Sequence, residues 1–391
     1  MAVKPRFDGE WVHVSDAFDL RMGKTPSRKN PAFWSDGTHD WVSIGDLGTF
    51  GKYVGRTKEQ INELAIEKSG IKPSPENTVL MSFKLSLGKA SITTRPTYTN
   101  EAIMAFVDKG VYPVDSSFLY HQCRTKDWTA GTNTAVMGKT LNKKTLGQAT
   151  VFLPEISMQK EIAARLDFVE SLISDARGQL SDLDALVKSR FAEMFVGKEY
   201  PTSRFSALAS SMRNGLSPSK SGSYHSKVLT LSAITQGRFD SSAWKDGVFS
   251  EEPPAEKRVS CEDFYVCRGN GNKHLVGAGE YPSFPLKDMV FPDTMIAVRI
   301  EQERIILPYL RCAWSQPATR KQIEASAKTT NGTFKINQTA LGNIELLVPP
   351  LELQREFAAF AAQVDKSRFI VQQQIEKLQM LYDSLAQEYF S

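Results

Sequence analysis

The stretch LNKKTLGQATVFLPEISMQKEIAARL, residues 141–166, recurs without a gap as INQTALGNIELLVPPLELQREFAAFA, residues 336–361. Asn142, Leu146, Gly147, Pro154, Gln159, Glu161, Ala163 and Ala164 return as Asn337, Leu341, Gly342, Pro349, Gln354, Glu356, Ala358 and Ala359. The match runs on to Phe195 and Phe390, with 15 of 55 positions identical. Agreement of that order marks a duplication and sets the architecture before any motif is weighed. In the first copy Ile162, Leu166, Val169, Ile173, Ala176, Leu180, Leu183 and Val187 follow alternating steps of four and three, the period of a coiled-coil seam. The second copy places Phe357, Ala361, Val364, Arg368, Val371, Ile375, Leu378 and Tyr382 at the matching positions, and only Arg368 breaks the stripe. Prolines precede both runs, where a missing backbone donor costs little. From Met158 to Phe195 a continuous helix would be about 55 Å long. One such stripe usually marks a helix lying on its own domain's core. Two at the same register predict helices that pack on each other.

The segments between the repeats are duplicated more loosely. MGKTPS (22–27) answers NGLSPS (214–219), DWVSIGDL (40–47) answers KVLTLSAI (227–234), and NTVLMSF (77–83) answers EDFYVCR (262–268). Short β-rich runs bounded by Gly, Pro, Asn and Ser fill both segments. The reading is therefore α+β, in four parts: a mixed α/β domain over 1–140, the central repeat with its long helix over 141–198, a second mixed domain over 199–335, and the C-terminal repeat over 336–391. The two halves are expected to be related by a pseudo-two-fold axis.

The chain has 391 residues, 41% apolar and 24% charged, enough to bury real cores. Lys and Arg number 48 against 44 Asp and Glu, a balance that neither demands nor excludes a polyanionic partner. Residues 1–140 and 196–335 lean basic while both repeat segments lean acidic, modest support for two anion-binding heads on a protein-binding frame. Four scattered cysteines form no CxxC and suit a reducing compartment. No apolar run is long enough for a membrane span, and MAVKPRFDGEW lacks the apolar core of a signal peptide. A cytoplasmic location with no membrane contact is expected.

Catalytic motifs fail on spacing. Gly23–Thr25 resembles the end of a phosphate loop, but Phe18 stands where its first glycine belongs. Asn30–Phe33 (NPAF) resembles the motif by which adenine methyltransferases hold the target amine, yet it lacks the second proline and has no cofactor loop upstream. His13, His39, His121, His225 and His274 are scattered, with no zinc spacing. The chain is read as non-catalytic.

A GxTPS-like turn opening each variable domain, then LNxxxLGxxxVxLPxIxxQxEIA leading into a long heptad helix, resembles the specificity subunit of type I restriction-modification systems, and does so twice. PPLELQREFA (349–358) is the most specific piece; the first copy departs from it with Glu155, Ser157 and Met158, leaving the helix phase unchanged. The resemblance implies two target-recognition domains, each reading one half of a bipartite duplex-DNA sequence. It implies that the two long helices form an antiparallel coiled coil that fixes the spacer. It also implies two methylation subunits that bind S-adenosylmethionine, and restriction subunits that bind ATP and Mg, so that this chain holds no cofactor or metal of its own and works in a prokaryotic cytoplasm.

Candidate DNA contacts lie in the polar loops. In the first domain these are Lys24, Thr25, Ser27, Arg28 and Lys29, with Lys84, Lys89 and Arg95. In the second they are Lys220, Tyr224, His225, the RGNGNKH run (Arg268, Asn270, Asn272, Lys273, His274), Lys328 and Asn331. The run combines guanidinium and amide groups suited to guanine and adenine edges with glycines that permit close approach. The coiled-coil seam is assigned to Ile162, Leu166, Val169, Ile173, Leu180, Leu183, Val187, Phe357, Val364, Val371, Ile375 and Leu378. Two other readings stay open: a two-headed scaffold with no nucleic-acid role, and the specificity subunit of a related modification system outside type I.

Overall fold

The computed structural model describes residues 7–84, 86–128, 141–219, 221–330 and 332–390. The chain forms two compact units, Met1–Gly178 with Gln372–Ser391, and Gln179–Val371. Each unit takes one end of each long helix, Ile156–Phe195 and Leu351–Phe390.

The repeated motif has a physical reason at nearly every position. Asn142 caps the helix Lys143–Gln148, its side chain accepting from the Thr145 backbone N–H while Thr145 returns the favour to the Asn142 N–H. Asn337 caps Gln338–Gly342 through the Ala340 N–H. Leu146 and Leu341 are fully buried. A Cβ on Gly147 would lie 3.3 Å from the Ser15 side chain, and one on Gly342 3.0 Å from Ser206. These glycines therefore let the short helices approach the segment opening each unit. That segment then pairs with the repeat: Gly9–His13 antiparallel to Thr150–Pro154, and Thr202–Arg204 antiparallel to Glu345–Leu347.

The repeated glutamine is a joint. Gln159 is fully buried, accepts from the Asp115 N–H at 2.9 Å and donates to the carbonyls of Pro113 (2.9 Å) and Pro154 (2.8 Å). Gln354, equally buried, accepts from Ile306 N–H at 3.0 Å and donates to Arg304 (3.0 Å) and Pro349 (2.8 Å). Asp115 and Ile306 are the N-caps of Ser116–Thr125 and Leu307–Trp314, so one side chain ties the start of each domain's helix to the start of a long helix.

The variable parts share one topology despite their weak sequence likeness. In the first unit the strands Phe18–Met22, Ile103–Asp108, Val79–Ser82 and Ala90–Ile92 form a sheet in that order. In the second, Ala209–Asn214, Met295–Ile300, Asp263–Cys267 and Gly279–Glu280 do the same. A three-stranded sheet follows in each: Glu59–Ile61, His39–Val42, Tyr98–Thr99, and Trp244–Phe249, Tyr224–Leu229, Met289–Val290, with one antiparallel and one parallel pairing. The paired turns match too. A Cβ on Gly23 would sit 2.2 Å from the Thr99 carbonyl oxygen and one on Gly215 2.1 Å from that of Pro292, so only glycine fits where the chain leaves the first sheet.

The seam residues are buried at Ile162, Leu166, Val169, Ile173, Phe357, Val364 and Ile375, and half-buried at Leu180, Leu183, Val187, Val371 and Leu378. In the second unit Asp184 meets Arg368 and Arg190 meets Glu356, so the helices run antiparallel. Arg368 breaks the apolar stripe yet remains buried, because Asp184 of the other helix takes its guanidinium. Phe191 packs edge-on against Phe357 and Phe195 against Tyr309. In the first unit Phe390, the repeat's counterpart of Phe195, packs edge-on against Phe118, and the Arg165 guanidinium lies 3.4 Å from the Tyr389 hydroxyl.

A polar network binds the first unit's helices. Fully buried His121 donates from Nε2 to Asp167 and accepts at Nδ1 from the Tyr382 hydroxyl, both at 2.9 Å, an arrangement that the neutral ring satisfies. Lys52 also holds Asp167 (2.5 Å). Burial pushes the His121 imidazole below its ordinary range, against the opposing pull of Asp167. Burial works against the Asp167 carboxylate, but hydrogen bonds from His121 and Lys52 outweigh it and hold the group low.

Two outcomes follow from these joints. Gln354→Leu strands one N–H and two carbonyls and is expected to cost at least ~2 kcal/mol, seen as a lower unfolding midpoint in urea. The folded state refuses a proton that the unfolded His121 accepts, so its contribution is present above the ordinary histidine value and lost as pH falls through about 6.5. Stability measured between pH 7.5 and 5 should decline, and His121→Gln should flatten that slope; an unchanged slope would remove His121 as its source.

Candidate nucleic-acid interface

In the second unit the chain brings two distant candidate segments into one small sheet. Gly269–Asn270 pairs antiparallel with Thr333–Lys335, which pairs in turn with Lys328–Thr330. The Arg268 backbone is clamped on both sides, its N–H donating to Thr294 (2.8 Å) and its carbonyl accepting from Ile336 (2.9 Å). Among the described residues its guanidinium donates to the Asp293 carbonyl alone, at 3.2 Å. Lys273 and Lys328 are exposed. The sheet thus gathers Arg268, Asn270 and Lys328, and adds Phe334 and Lys335, which sequence reasoning passed over. The Asn-Gly at 331–332, flanked by threonines, is the hairpin signal that could have found them.

The asparagines of the run have a structural duty. The Asn270 side-chain oxygen accepts from the Asn272 N–H at 2.9 Å, and that of Asn272 accepts from the His274 N–H at 3.0 Å to cap the turn Lys273–Leu275. A bidentate amide contact to adenine needs that same oxygen. In this conformation the two amides shape the loop, while Arg268, Lys273 and Lys328 are the groups available to an anion or base. His274 pairs with Glu324 at 3.1 Å. Tyr224 and His225 are exposed but belong to the other three-stranded sheet, and Lys220 and Asn331 lie outside the described residues.

In the first unit Lys24, Thr25, Ser27 and Arg28 converge around two tryptophans. The Arg28 guanidinium lies 3.7 Å over the Trp34 ring and 5.0 Å from that of Trp41, and it forms a two-pronged pair with Glu59. Trp34 donates to the Ser27 carbonyl (3.3 Å) and Trp41 to that of Lys24 (3.0 Å), so the indoles hold the loop in shape. Lys24 caps the Ser69 carbonyl and Thr25 donates to Glu101. Glu59 raises the Arg28 pKa by hydrogen bonding, and Arg28 lowers that of Glu59 in return. The tryptophans and Glu59 had no motif to announce them. Lys29 is exposed. The other candidates lie apart from this loop or are engaged: Arg95 binds Asp40, Lys84 sits 5.2 Å from the Phe83 ring, and Lys89 lines a cleft with Lys52 and Asp167.

Among the described residues one group has metal-ligand geometry: His121, Asp167 and Glu170, with donor atoms within 4.8 Å of one another. Lys52 already neutralises Asp167, and Arg124 neutralises Glu170. Two cations at that spot oppose a third, so these residues do not fit a metal.

Comparison with known proteins bears on the first unit most directly. Residues 8–181 match the model of the type I restriction modification DNA specificity domain. Curated relatives include the type I restriction enzyme EcoprrI specificity subunit of Escherichia coli, 31% identical over 116 residues, 29% of this chain and 28% of the relative. The MjaIX specificity subunit of Methanocaldococcus jannaschii is 25% identical over 196 residues, 49% and 45% of the two chains. The alignments thus span less than half the length of these two relatives. The S subunit of a type I restriction-modification system from M. genitalium shares the fold over 100% of this chain and 98% of its own (TM-score 0.54, 12% identity). So does a chain from a structural study of complex assembly and conformational transition in the type I system, over 99% and 98% (TM-score 0.59, 15% identity). The sheet order of the matched segment recurs in the second unit, where the family model does not reach.

Loss of the Arg268 side chain separates two chemistries. If Arg268 reads a base, Arg268→Ala should relax recognition at one position of one half-site by about 1–3 kcal/mol, with the other half-site unaffected. Binding titrations over a library of duplexes would show this; a uniform loss with a shallower salt dependence would mark a phosphate contact.

Proposed function

We propose that the chain is the DNA-specificity subunit of a type I restriction-modification complex, each globular domain reading one half of a bipartite target. The observation that carries this reading is the duplicated sheet order in the two units, each of which also carries a basic loop, Lys24–Lys29 in the first and Arg268–His274 in the second, at different turns of the shared topology. Two linked heads make binding bivalent, so neither half-site alone need bind tightly. Half-site spacing then follows from helix length rather than from base contacts. Lysine and arginine contacts to phosphates supply salt-dependent affinity, and side chains at base edges supply sequence.

In this reading the chain performs no chemistry. Two methylation subunits bring S-adenosylmethionine and dock on the long helices, and restriction subunits bring ATP and Mg. Exposed apolar side chains on those helices support a protein-binding role: Phe168 and Met380 are each 63% exposed, and Leu186 is 47% exposed. Among the described residues no helix is long and apolar enough to cross a membrane.

Methylome sequencing tests the reading. Deleting this chain alone should erase N6-methyladenine from one split motif in its host, and survival of every methylated motif would refute the recognition role. Replacing Phe168 and Met380 together by serine should reduce co-purification of the methylation subunit at least tenfold while the thermal unfolding midpoint stays within a few degrees.

A further inference from the structure

A cleft of about 1070 Å³ in the second unit lies between the faces of Ile234–Arg238, Leu307–Trp314 and the two long-helix segments. Its lining carries six cations, Lys188, Arg238, Arg311, Arg320, Lys366 and Arg368. Against them stand the carboxylates Asp184, Glu280 and Asp365. The pairings leave a surplus. Arg311 and Glu280 satisfy each other at 3.0 Å. Arg368 takes Asp184 and lies 3.4 Å from Asp365. The carboxylate nearest Arg238 is then Asp184, 3.7 Å away and already held by Arg368.

Two buried donors in the same cleft make no hydrogen bond among the described residues. The Arg368 side chain is 9% exposed, and its Nε faces Asp365 at 3.4 Å without making a hydrogen bond among the described residues. Arg320 spends one nitrogen on the carbonyls of His274 (3.0 Å) and Val276 (2.9 Å), with Glu324 3.9 Å away, while its other terminal nitrogen is buried and has no partner among the described residues. Buried donors are nearly always paired, so each such group needs an explanation. Arg238 feels the same crowding: burial, and then the charge of Arg368, push its guanidinium below its ordinary range. A dianion placed here would answer the surplus charge and an empty donor together, and guanidinium forks match the oxygens of a phosphate.

We propose that this cleft binds a phosphate-type oxyanion, held between Arg238 and Arg368. Arg238 is half-exposed, so it can take up the ligand without disturbing the seam that Arg368 helps to close. The site does not depend on the reading of DNA by either domain.

Inorganic phosphate titrated into the full chain, with chloride adjusted to constant ionic strength, tests the site by calorimetry and by thermal unfolding. The expected result is a saturable rise in the unfolding midpoint and a dissociation constant weakened about tenfold or more by Arg238→Gln. Arg258→Gln, which removes a guanidinium paired with Glu252 and Asp288 outside the cleft, should leave phosphate binding unchanged. A response that does not saturate, or one indifferent to Arg238→Gln, would overturn the proposal. Displacement of phosphate by non-specific duplex DNA, itself lost in Arg238→Gln, would reassign the cleft to the DNA backbone and overturn the small-anion site.

Discussion

The architecture depends on one buried amide in each half. Gln159 and Gln354 have no route to water, and each satisfies three backbone groups at the point where a prolyl strand end, a loop and two helix starts meet. A glutamine is suited to this because it offers an acceptor and two donors on a stem long enough to cross the junction. An apolar side chain of similar size would fill the space and leave the backbone unsatisfied. Because the joint is made to main-chain atoms, the surrounding side chains are free to differ. The two variable regions do so, keeping strand order while losing most sequence likeness.

The seam carries a second constraint, and each unit meets it differently. In the first, His121 and Tyr382 join Asp167 across the helices; in the second, Arg368 meets Asp184. A slipped register would bury a guanidinium or a carboxylate without its counterpart, a cost well above that of misplacing one leucine. The polar contacts add little to stability when made correctly. Their value lies in the alternatives they penalise.

Much of this was legible in the chain. Heptad spacing is local and survives substitution, so both long helices could be read from Ile162 and Phe357 onward, and the loose pairs at 22–27 and 214–219 do occupy equivalent turns. What could not be read was long-range. Nothing near Arg268 announces that Thr333–Lys335 will lie beside it, and nothing near Arg28 announces Glu59 or the two indole rings. Residue type also left open what each side chain does within the chain: the candidate DNA contacts Asn270 and Asn272 shape their own turn, and the candidate Arg95 pairs with Asp40. Arg368, apparently a flaw in the seam, is matched by a carboxylate on the other helix.

The division of the chain has a consequence for biosynthesis. Residues 372–391 belong with 1–178, yet the ribosome makes them only after the whole of 179–371. At about 5–20 residues per second, the first unit waits roughly 10–40 s for the stretch that covers Phe118 and His121. The half that emerges first is therefore the half finished last. During that interval its uncovered apolar helix is a natural substrate for chaperones, and slower translation late in the message would lengthen the exposure.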